Sequence, residues 1–275
     1  MKLIKRGKVK DIYEVAEDVL LFEFSDRVSA FDVVLPTPIP RKGEVLNRFA
    51  EFFFKVVEFP NHMIERVSPR QMTVKRLSII PIEFVIRGYL YGSLYERVQK
   101  GEVRLDIEPV LAAKLPSPIL DPTTKSDVKD VPITKQEVVS QRLLLETEYD
   151  MLSDVSIRIY NKLAGLADKA GFIMADLKIE FGKDKMGNVY LADSIGPDEF
   201  RLWPKESYKV GKPQESFDKQ VVRDWLISVG YRDALNKARS QNLPPPPPPE
   251  LPRDIVELTA KRYIEAFERI TGTKF

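Results

Sequence analysis

The chain has 275 residues, 43% of them hydrophobic, so it can bury a substantial core and is expected to form an enzyme-sized unit of two lobes around a cleft. Its formal net charge is only +2, from 43 basic and 41 acidic residues, so no global field favours nucleic acid or a membrane as a partner. The sequence has no cysteine, which excludes disulfides, thiolate catalysis and zinc bound by cysteine. Chemistry must therefore come from carboxylates, lysines, arginines and backbone amides.

The beginning of the chain bears on location. Met1-Lys2-Leu3-Ile4 becomes charged at once, unlike a signal peptide, and no apolar run approaches the roughly 18 residues that a membrane span needs. We therefore expect a cytoplasmic protein. The one histidine, His62, follows Pro60-Asn61 and is expected to be structural rather than catalytic.

Short apolar runs predict three antiparallel strands before residue 25. They cover residues 3–5, 9–15 and 19–24. Lys8 and Lys10 are expected on one face of a strand, just after Gly7, where the backbone can approach a phosphate closely. The alternative is an exposed basic strand edge, because lysines there guard a sheet against aggregation.

A charged loop follows, over residues 25–43, and charged loop residues on a rigid sheet are often binding groups. Helical spacing over residues 44–57 predicts a helix whose aromatic side chains belong to the core. Two strands are then predicted, over residues 72–77 and 80–86.

The segment from Arg87 to Ser93 contains Gly88 and Gly92 and precedes a predicted helix over residues 93–99. A strand, two glycines and a helix start can form an anion site, from free N–H groups, the helix dipole and an arginine that binds phosphate bidentately. The alternative is a glycine-rich turn in which Ser93 only caps the helix.

The middle and the end of the chain are expected to alternate loops and helices. Prolines predict a long irregular loop over residues 108–132, of a kind that forms lids or binding loops or is disordered. Thr134 and Glu137 predict a capping box before two helices, or one broken helix, that end at Gly171. Later helices are predicted over residues 216–228 and 253–270. The last follows the stiff run Pro244–Pro249 and acts as a cap on the larger lobe or an oligomer contact.

Two runs, residues 175–181 and 190–193, predict a charged β-hairpin. Strand alternation places Asp176, Lys178 and Glu180 on one face, and a two-residue loop at Met186-Gly187 would put Glu180 opposite Asp193. Facing carboxylates destabilise a sheet unless something compensates, and Mg²⁺ bound with substrate phosphates would do so. The alternative is a solvated hairpin face. Asp198 and Arg201, in the loop that follows, are also expected at the site.

These segments resemble one family, phosphoribosylaminoimidazole-succinocarboxamide synthase, or SAICAR synthetase. The matching blocks, in the family's order and over nearly the whole chain, are GKVKDIY at 7–13, SDRVSAFD at 25–32, IPRKG at 39–43, VIRGYLYGS at 85–93, ADLKIEFG at 175–182, LADSIGPDEFRLW at 191–203 and SFDKQVVRDWL at 216–226. Together they are highly specific.

The resemblance implies an α+β fold of two lobes, an antiparallel β-rich N-terminal lobe and a larger α/β lobe with C-terminal helices, around an ATP cleft. We expect the first lobe over residues 1–84, the second over 85–243, and a polyproline strap with a final helix over 244–275. The implied activity is ATP-dependent ligation of L-aspartate to carboxyaminoimidazole ribonucleotide (CAIR) in purine biosynthesis, with Mg²⁺. The products are SAICAR, ADP and phosphate, formed through an acyl phosphate. The partners are small molecules, and a homo-oligomer is compatible with the final helix.

The resemblance also implies residue roles. ATP is assigned to Gly7, Lys8, Lys10, Glu180 and Asp193, of which the last two also bind the metal. Catalytic roles fall on Lys178 and Asp198, and substrate binding falls on Arg87, Ser93, Asp198, Arg201 and Asp32.

The sequence departs from the family after Pro122-Thr123-Thr124-Lys125, where residues 126–130 lack the family's further acidic and histidine residues. The family resemblance therefore does not define how this loop binds aspartate or how it closes. Another ATP-dependent ligase or a small-molecule kinase is the rival enzyme. An RNA-binding protein is disfavoured, because the basic strand has no stacking aromatic residues.

Overall fold

The computed structural model describes residues 1–125 and 130–275. The first strands along the chain are β1 (Lys2–Arg6), β2 (Lys10–Ala16), β3 (Val19–Phe24), β4 (Ser29–Ala30), β5 (Val33–Val34), β6 (Met63–Ser68) and β7 (Gln71–Lys75). Five form an antiparallel sheet in the order β1-β2-β3-β7-β6, while β4 and β5 pair as a short hairpin. The three strands predicted before residue 25 are confirmed. Strand β6 escapes prediction because most of it is exposed and its sequence lacks a buried alternating face.

In the described part of the chain, a second sheet has seven strands and carries the predicted site residues Arg87, Lys178, Glu180 and Arg201. Its strands are β8 (Ser78–Ile79), β9 (Ile82–Tyr89), β10 (Lys114–Leu120), β11 (Thr123–Thr124), β12 (Phe172–Lys183), β13 (Val189–Ala192) and β14 (Phe200–Pro204). Strand β12 pairs antiparallel with β8, β9, β13 and β14. The prediction of an irregular loop over residues 108–132 is wrong for β10 and β11. Pro116 and Pro118 fit in β10 because they lie where its register with β9 shifts.

The helices of the described chain are α1 (Lys42–Val56), α2 (Gly92–Gln99), α3 (Lys135–Ser140), α4 (Glu146–Lys169), α5 (Gln220–Ser228), α6 (Tyr231–Ser240) and α7 (Arg253–Thr271). The predicted capping box is confirmed: the Glu137 N–H donates to the Thr134 hydroxyl at 3.2 Å, and the Thr134 N–H donates to the Glu137 carboxylate at 2.7 Å. Helix α5 begins later than predicted, because Asp218 accepts from the Gln220 N–H at 2.7 Å. Helix α6 is missed, since it buries only Tyr231 and Leu235.

The main hydrophobic core joins both sheets to α1, α4 and α7. Phe49 on α1 stacks on Phe53 at 5.4 Å and meets Phe200 of β14 and Phe267 of α7 edge-on, so the α1 aromatic residues belong to the core, as predicted. Helix α7 buries Tyr263, Phe267 and Ile270 and lies against α1, α4 and α5 of its own chain. Within residues 1–125 and 130–275, no helix combines the length and the apolar character needed to cross a membrane.

Candidate active site

The charged hairpin exists, but its register differs by one residue from the prediction. Glu180 on β12 pairs with Ala192, not Asp193, because the loop spans residues 184–188 rather than Met186-Gly187 alone. The Asp184 carboxylate accepts from the backbone N–H groups of Met186 and Asn188, each at 2.9 Å, and so stabilises the longer turn. Asp193 follows the end of β13 with a left-handed backbone (φ 62°).

Glu180 and Asp193 nevertheless share one electrostatic environment. Burial raises the pKa of Glu180, and the Asp193 carboxylate raises it further. Burial also acts to raise the pKa of Asp193, but Lys10, Lys125 and Lys178 outweigh it and hold this pKa well below its usual range. The two carboxylates are therefore kept in one site by surrounding lysines.

Three lysines neutralise this acidic centre. Lys10 pairs with Asp193 and donates to the Ser194 hydroxyl at 2.9 Å, while Lys125 pairs with Glu180. Lys178 donates to Glu83 at 2.7 Å and lies 3.6 Å from the Glu180 carboxylate, which confirms that Lys178 and Glu180 share a face of β12. Glu83 escapes sequence analysis, because its strand β9 is buried throughout its first seven residues and has no alternating polar face.

The glycine hairpin between β1 and β2 is narrow. The Gly7 N–H donates to the Lys10 carbonyl at 2.9 Å, and a Cβ at Gly7 would lie 2.6 Å from that carbonyl oxygen, so only glycine fits. The prediction that Lys8 and Lys10 share a strand face is wrong, because β2 begins only at Lys10. Lys10 is buried against Asp193, whereas the exposed Lys8 pairs with Asp32 at 2.7 Å.

A second charged group crosses the same sheet. In the strand register, Asp176 of β12 lies between Arg87 of β9 and Arg201 of β14. Arg87 donates to Asp176 at 3.3 Å and to the Ser93 hydroxyl at 3.0 Å, and Arg201 pairs with the same Asp176 oxygen. The structure therefore brings Arg87, Ser93 and Arg201 together, with Asp176 holding the two guanidinium groups side by side.

The start of α2 borders this group. Tyr91 is the N-cap of α2 and makes no side-chain cap bond, so the alternative in which Ser93 only caps the helix is wrong. Gly92 has a positive φ of 59°, and a Cβ there would lie 2.7 Å from an Arg201 nitrogen. The glycine thus lets Arg201 approach the N-terminal end of α2, where free N–H groups favour an anion.

Asp198 occupies a different environment from the other candidates. Its buried carboxylate accepts from Lys42 at 2.7 Å and from the Tyr263 hydroxyl at 2.9 Å, and Lys219 lies 4.0 Å away. Burial acts to raise the pKa of Asp198, but Lys219 and Lys42 outweigh it and depress this pKa. The next residue behaves oppositely: burial and the Asp198 charge raise the pKa of Glu199 to about 8.

His62 supports the acidic centre from the core. Its Nε2 lies 2.9 Å from the Asp193 carbonyl oxygen, and its ring packs edge-on against Phe22 and Phe54. Burial lowers the pKa of His62 to about 4, so the neutral ring donates its Nε2–H to that carbonyl. The histidine is therefore structural, as predicted.

A family model described as SAICAR synthetase matches residues 3–238 of this sequence. The chain belongs to the SAICAR synthetase family. Phosphoribosylaminoimidazole-succinocarboxamide synthase of Nitrosopumilus maritimus is 50% identical over 276 residues, which cover 99% of each chain. The Corynebacterium efficiens enzyme of the same name is 43% identical over 100% of this chain and 92% of its own.

Solved structures of the family share the fold. SAICAR synthase from Saccharomyces cerevisiae, complexed with SAICAR, superposes with a TM-score of 0.83 at 34% identity over 99% of this chain and 95% of its own. A SAICAR synthetase in complex with ADP gives 0.76 at 27% identity over 98% of both chains. The predicted family, the mixed antiparallel fold and the activity as an amide-forming ligase of purine biosynthesis are therefore confirmed.

The donor set of the acidic centre fits a small divalent cation. Within residues 1–125 and 130–275, no group of three or more His, Cys, Asp or Glu side chains could hold a metal alone. Mg²⁺ in nucleotide sites commonly takes only one or two carboxylates and completes its shell with phosphate oxygens and water. Glu180 and Asp193 supply two such carboxylates. Lys10 and Lys125, which pair with them here, provide the positive charge that a bound cation would provide.

Several charged residues of the site were missed as individual candidates. Lys42 and Lys219 lie inside segments that match the family, and this match is the sequence signal that could identify them. Their shared partner Asp198 is distant from Lys42 in sequence, so no local pattern reveals the contact. Tyr263 lies beyond residue 238, where the family match ends. Residues 126–129, where the sequence departs from the family loop, lie outside the described residues.

Proposed function

We propose that Lys8, Lys10 and Lys178 bind the phosphates of ATP, and that Arg87 and Arg201 with Ser93 bind the phosphate or neighbouring polar groups of CAIR. The observation that carries this assignment is that one strand, β12, joins both groups. Asp176 lies between Arg87 and Arg201, and Glu180 lies beside Lys178. The two carboxylate residues are four positions apart on β12, a separation of about 13 Å along the strand. This spacing suits two anionic substrates that react with each other between the two clusters.

The chemistry that these groups serve has two steps. The terminal phosphoryl group of ATP passes to the CAIR carboxylate, which breaks the bond to the ADP oxygen and forms an acyl phosphate. The α-amino group of L-aspartate then attacks the acyl carbon, loses a proton, and phosphate leaves as the amide forms. No protein nucleophile is required, and the residues act by positioning and by charge stabilisation.

Individual roles follow from the contacts. Lys178 is held between Glu83 and Glu180, which outweigh its burial and raise its pKa, so it stays charged for the transferred phosphoryl group. Glu180 and Asp193 would hold Mg²⁺, which when bound would neutralise charge on the phosphates. The Asp198 carboxylate is buried and paired with Lys42, so it is not exposed for direct contact with a substrate. We therefore propose that it acts on substrate through Lys219, whose pKa burial lowers to about 8.

We further propose that the protein works in the cytoplasm on ATP, CAIR and L-aspartate, without nucleic acid or a membrane. The division into an N-terminal lobe over residues 1–84, a larger lobe with the substrate and metal sites over 85–243, and a strap with the final helix over 244–275 stays a proposal. A homo-oligomer would have to use a surface other than the apolar stripe of α7, which is covered by its own chain.

Release of ADP tests the reaction. We expect steady release of ADP only when ATP, CAIR and L-aspartate are all present, because the acyl phosphate is consumed only by the amine. A coupled spectrophotometric assay with each substrate omitted in turn measures this dependence. Sustained turnover without L-aspartate would instead indicate a kinase.

Replacing Arg87 with lysine tests the assignment of the two clusters. Lysine keeps the charge but cannot bond Ser93 and Asp176 together as the guanidinium does. Loss of a charge-assisted bidentate contact costs on the order of 1.5–3 kcal/mol, so the KM for CAIR should rise roughly ten- to a hundredfold while that for ATP stays nearly unchanged. Steady-state kinetics with each substrate varied measures both.

Arg66→Lys is the matched control, because Arg66 also pairs with a carboxylate, Glu51, at 2.5 Å, but on β6 of the first sheet rather than in the group of Arg87, Ser93 and Arg201. Its KM for CAIR should stay close to that of the unmodified enzyme. A larger effect of Arg87→Lys on ATP than on CAIR would show that the clusters are assigned the wrong way round.

A further inference from the structure

The loop after β3 holds the tip of the glycine hairpin on both sides. The Ser25 N–H and hydroxyl both donate to the Val9 carbonyl, at 2.9 and 2.8 Å. Arg27 donates from Nη2 to the Gly7 carbonyl at 3.0 Å. The glycine hairpin and the loop after β3 are therefore joined by bonds to backbone carbonyls, although neither segment belongs to a strand at these positions.

Arg27 also spans the mouth of the hairpin. The same Nη2 donates to the Asp11 carboxylate at 2.5 Å, and Nη1 lies 3.5 Å from its other oxygen. Gly7 precedes the hairpin tip and Asp11 follows it on β2. One planar guanidinium thus connects the limb before Lys8 to β2, the strand that begins at Lys10, and a lysine ammonium could not reproduce this fork.

The loop that carries Arg27 is itself fixed to rigid elements. Asp26 accepts from the Gly43 N–H in the first turn of α1 at 2.9 Å, and Arg70 pairs with the same carboxylate at 2.7 Å. Val28 is fully buried in a second hydrophobic cluster with residues of α5 and α6. Because the loop is anchored in this way, its bonds to the hairpin can hold the hairpin in one position.

We propose that Arg27 is a positioning residue for nucleotide binding, which sets where the glycine hairpin presents Lys8 and Lys10 to the phosphates. The proposal rests on the proposed function, in which those two lysines bind ATP. The Lys8 side chain is exposed and pairs with Asp32, itself in a loop, so its place in the cleft depends on the backbone that carries it. A hairpin freed from Arg27 would sample more conformations, and ordering them would oppose nucleotide binding.

The test measures ADP binding by isothermal titration calorimetry, in Mg²⁺ buffer, for the full-length protein. Arg27→Gln is expected to raise the Kd for ADP roughly tenfold, because it removes the charge-assisted bonds to both limbs. Arg27→Lys keeps a charge near Asp11 but loses the fork, so it should recover only part of that affinity. Ser25→Ala, a milder change at the other limb, should weaken ADP in the same direction by a smaller factor.

Kinetics separate positioning from a general structural effect. The KM for ATP should rise with the Kd for ADP, whereas those for CAIR and L-aspartate should stay within about twofold, a difference well below the tenfold expected for ATP. Arg76→Gln is the control, since Arg76 also pairs with a carboxylate of β2, Glu14, but away from the hairpin tip and from the loop that carries Arg27. It should leave ADP binding close to normal.

Two outcomes overturn the proposal. One is unchanged ADP binding in Arg27→Gln, or in Ser25→Ala should the arginine variants not fold. The other is a parallel rise in all three KM values. Lys8→Gln and Lys10→Gln are measured alongside. If they weaken ADP binding and Arg27→Gln does not, only the role of Arg27 fails. If none of the three weakens it, the assignment of the hairpin to ATP fails as well.

Discussion

Replacing Glu180 with glutamine should lower turnover about 10²- to 10³-fold, the range expected when a preorganised charge is removed from a phosphoryl-transfer site. Glutamine keeps the shape of the side chain but removes the charge that balances Lys125 and Lys178. It also removes one of the two carboxylates proposed to hold Mg²⁺. Both changes act where the phosphates are expected to react.

Stability should change far less. Lys178 keeps its bond to Glu83 at 2.7 Å, and the Lys125 side chain, 38% exposed, can turn to water. Repulsion between Glu180 and Asp193 also disappears, which offsets part of the lost pairing. We expect the free energy of unfolding to change by less than about 2 kcal/mol, as measured by denaturant titration.

Glu148→Gln is the matched control for this experiment. Glu148 pairs with Lys183 of the same strand β12 at 2.5 Å, but beyond the acidic centre. It should show a similar change in stability with nearly normal turnover. A Glu180→Gln enzyme that keeps normal activity at limiting Mg²⁺ would refute the role of this carboxylate.

The hairpin that carries Glu180 shows how far local sequence reaches. Alternating charges correctly predict that Lys178 and Glu180 share a face, because side-chain alternation depends only on strand geometry. The register is missed because it depends on the turn. Asp184 bonds two N–H groups and makes a five-residue loop, a choice that the sequence Met186-Gly187 does not exclude.

Contacts between residues that are distant in sequence are harder to predict from the sequence. Arg87 and Arg201 are candidates from their motifs, but their common partner Asp176 emerges only when β9 and β14 flank β12. Strand order is a non-local property, and no periodicity within one segment encodes it. The same holds for Asp198, whose partners Lys42 and Tyr263 come from α1 and α7.

Deleting residues 244–275 should give an insoluble or partly unfolded protein. The deleted segment covers the main core with Phe267 and Ile270 and the second cluster with Leu251, all nearly fully buried. Burying such a side chain contributes about 1.5–3 kcal/mol, so three of them contribute about 5–9 kcal/mol. A typical domain has only about 5–15 kcal/mol of net stability, so the remainder should not stay folded.

The segment is also held by polar contacts. Arg269 donates to the Ala170 carbonyl at 3.0 Å, and Arg262 donates to the Ser216 carbonyl at 2.7 Å. The proline run is attached by the Tyr231 hydroxyl, which donates to the Pro246 carbonyl at 3.2 Å. Soluble yield, dye binding to exposed apolar surface and thermal unfolding measure the effect of the deletion. A soluble and fully active truncation would show that α7 is dispensable.

Tyr263→Phe separates the packing of α7 from its contact with the site. Phenylalanine keeps the buried ring and removes only the hydroxyl that donates to Asp198 at 2.9 Å, so the protein should stay soluble and lose about 1–3 kcal/mol of stability. Tyr231→Phe, which loses a hydroxyl bond to Pro246 instead, is its control. If α7 supports only the core, both variants keep normal kcat. If α7 also holds Asp198 in place, turnover falls in Tyr263→Phe alone, because Asp198 then keeps only its lysine partners.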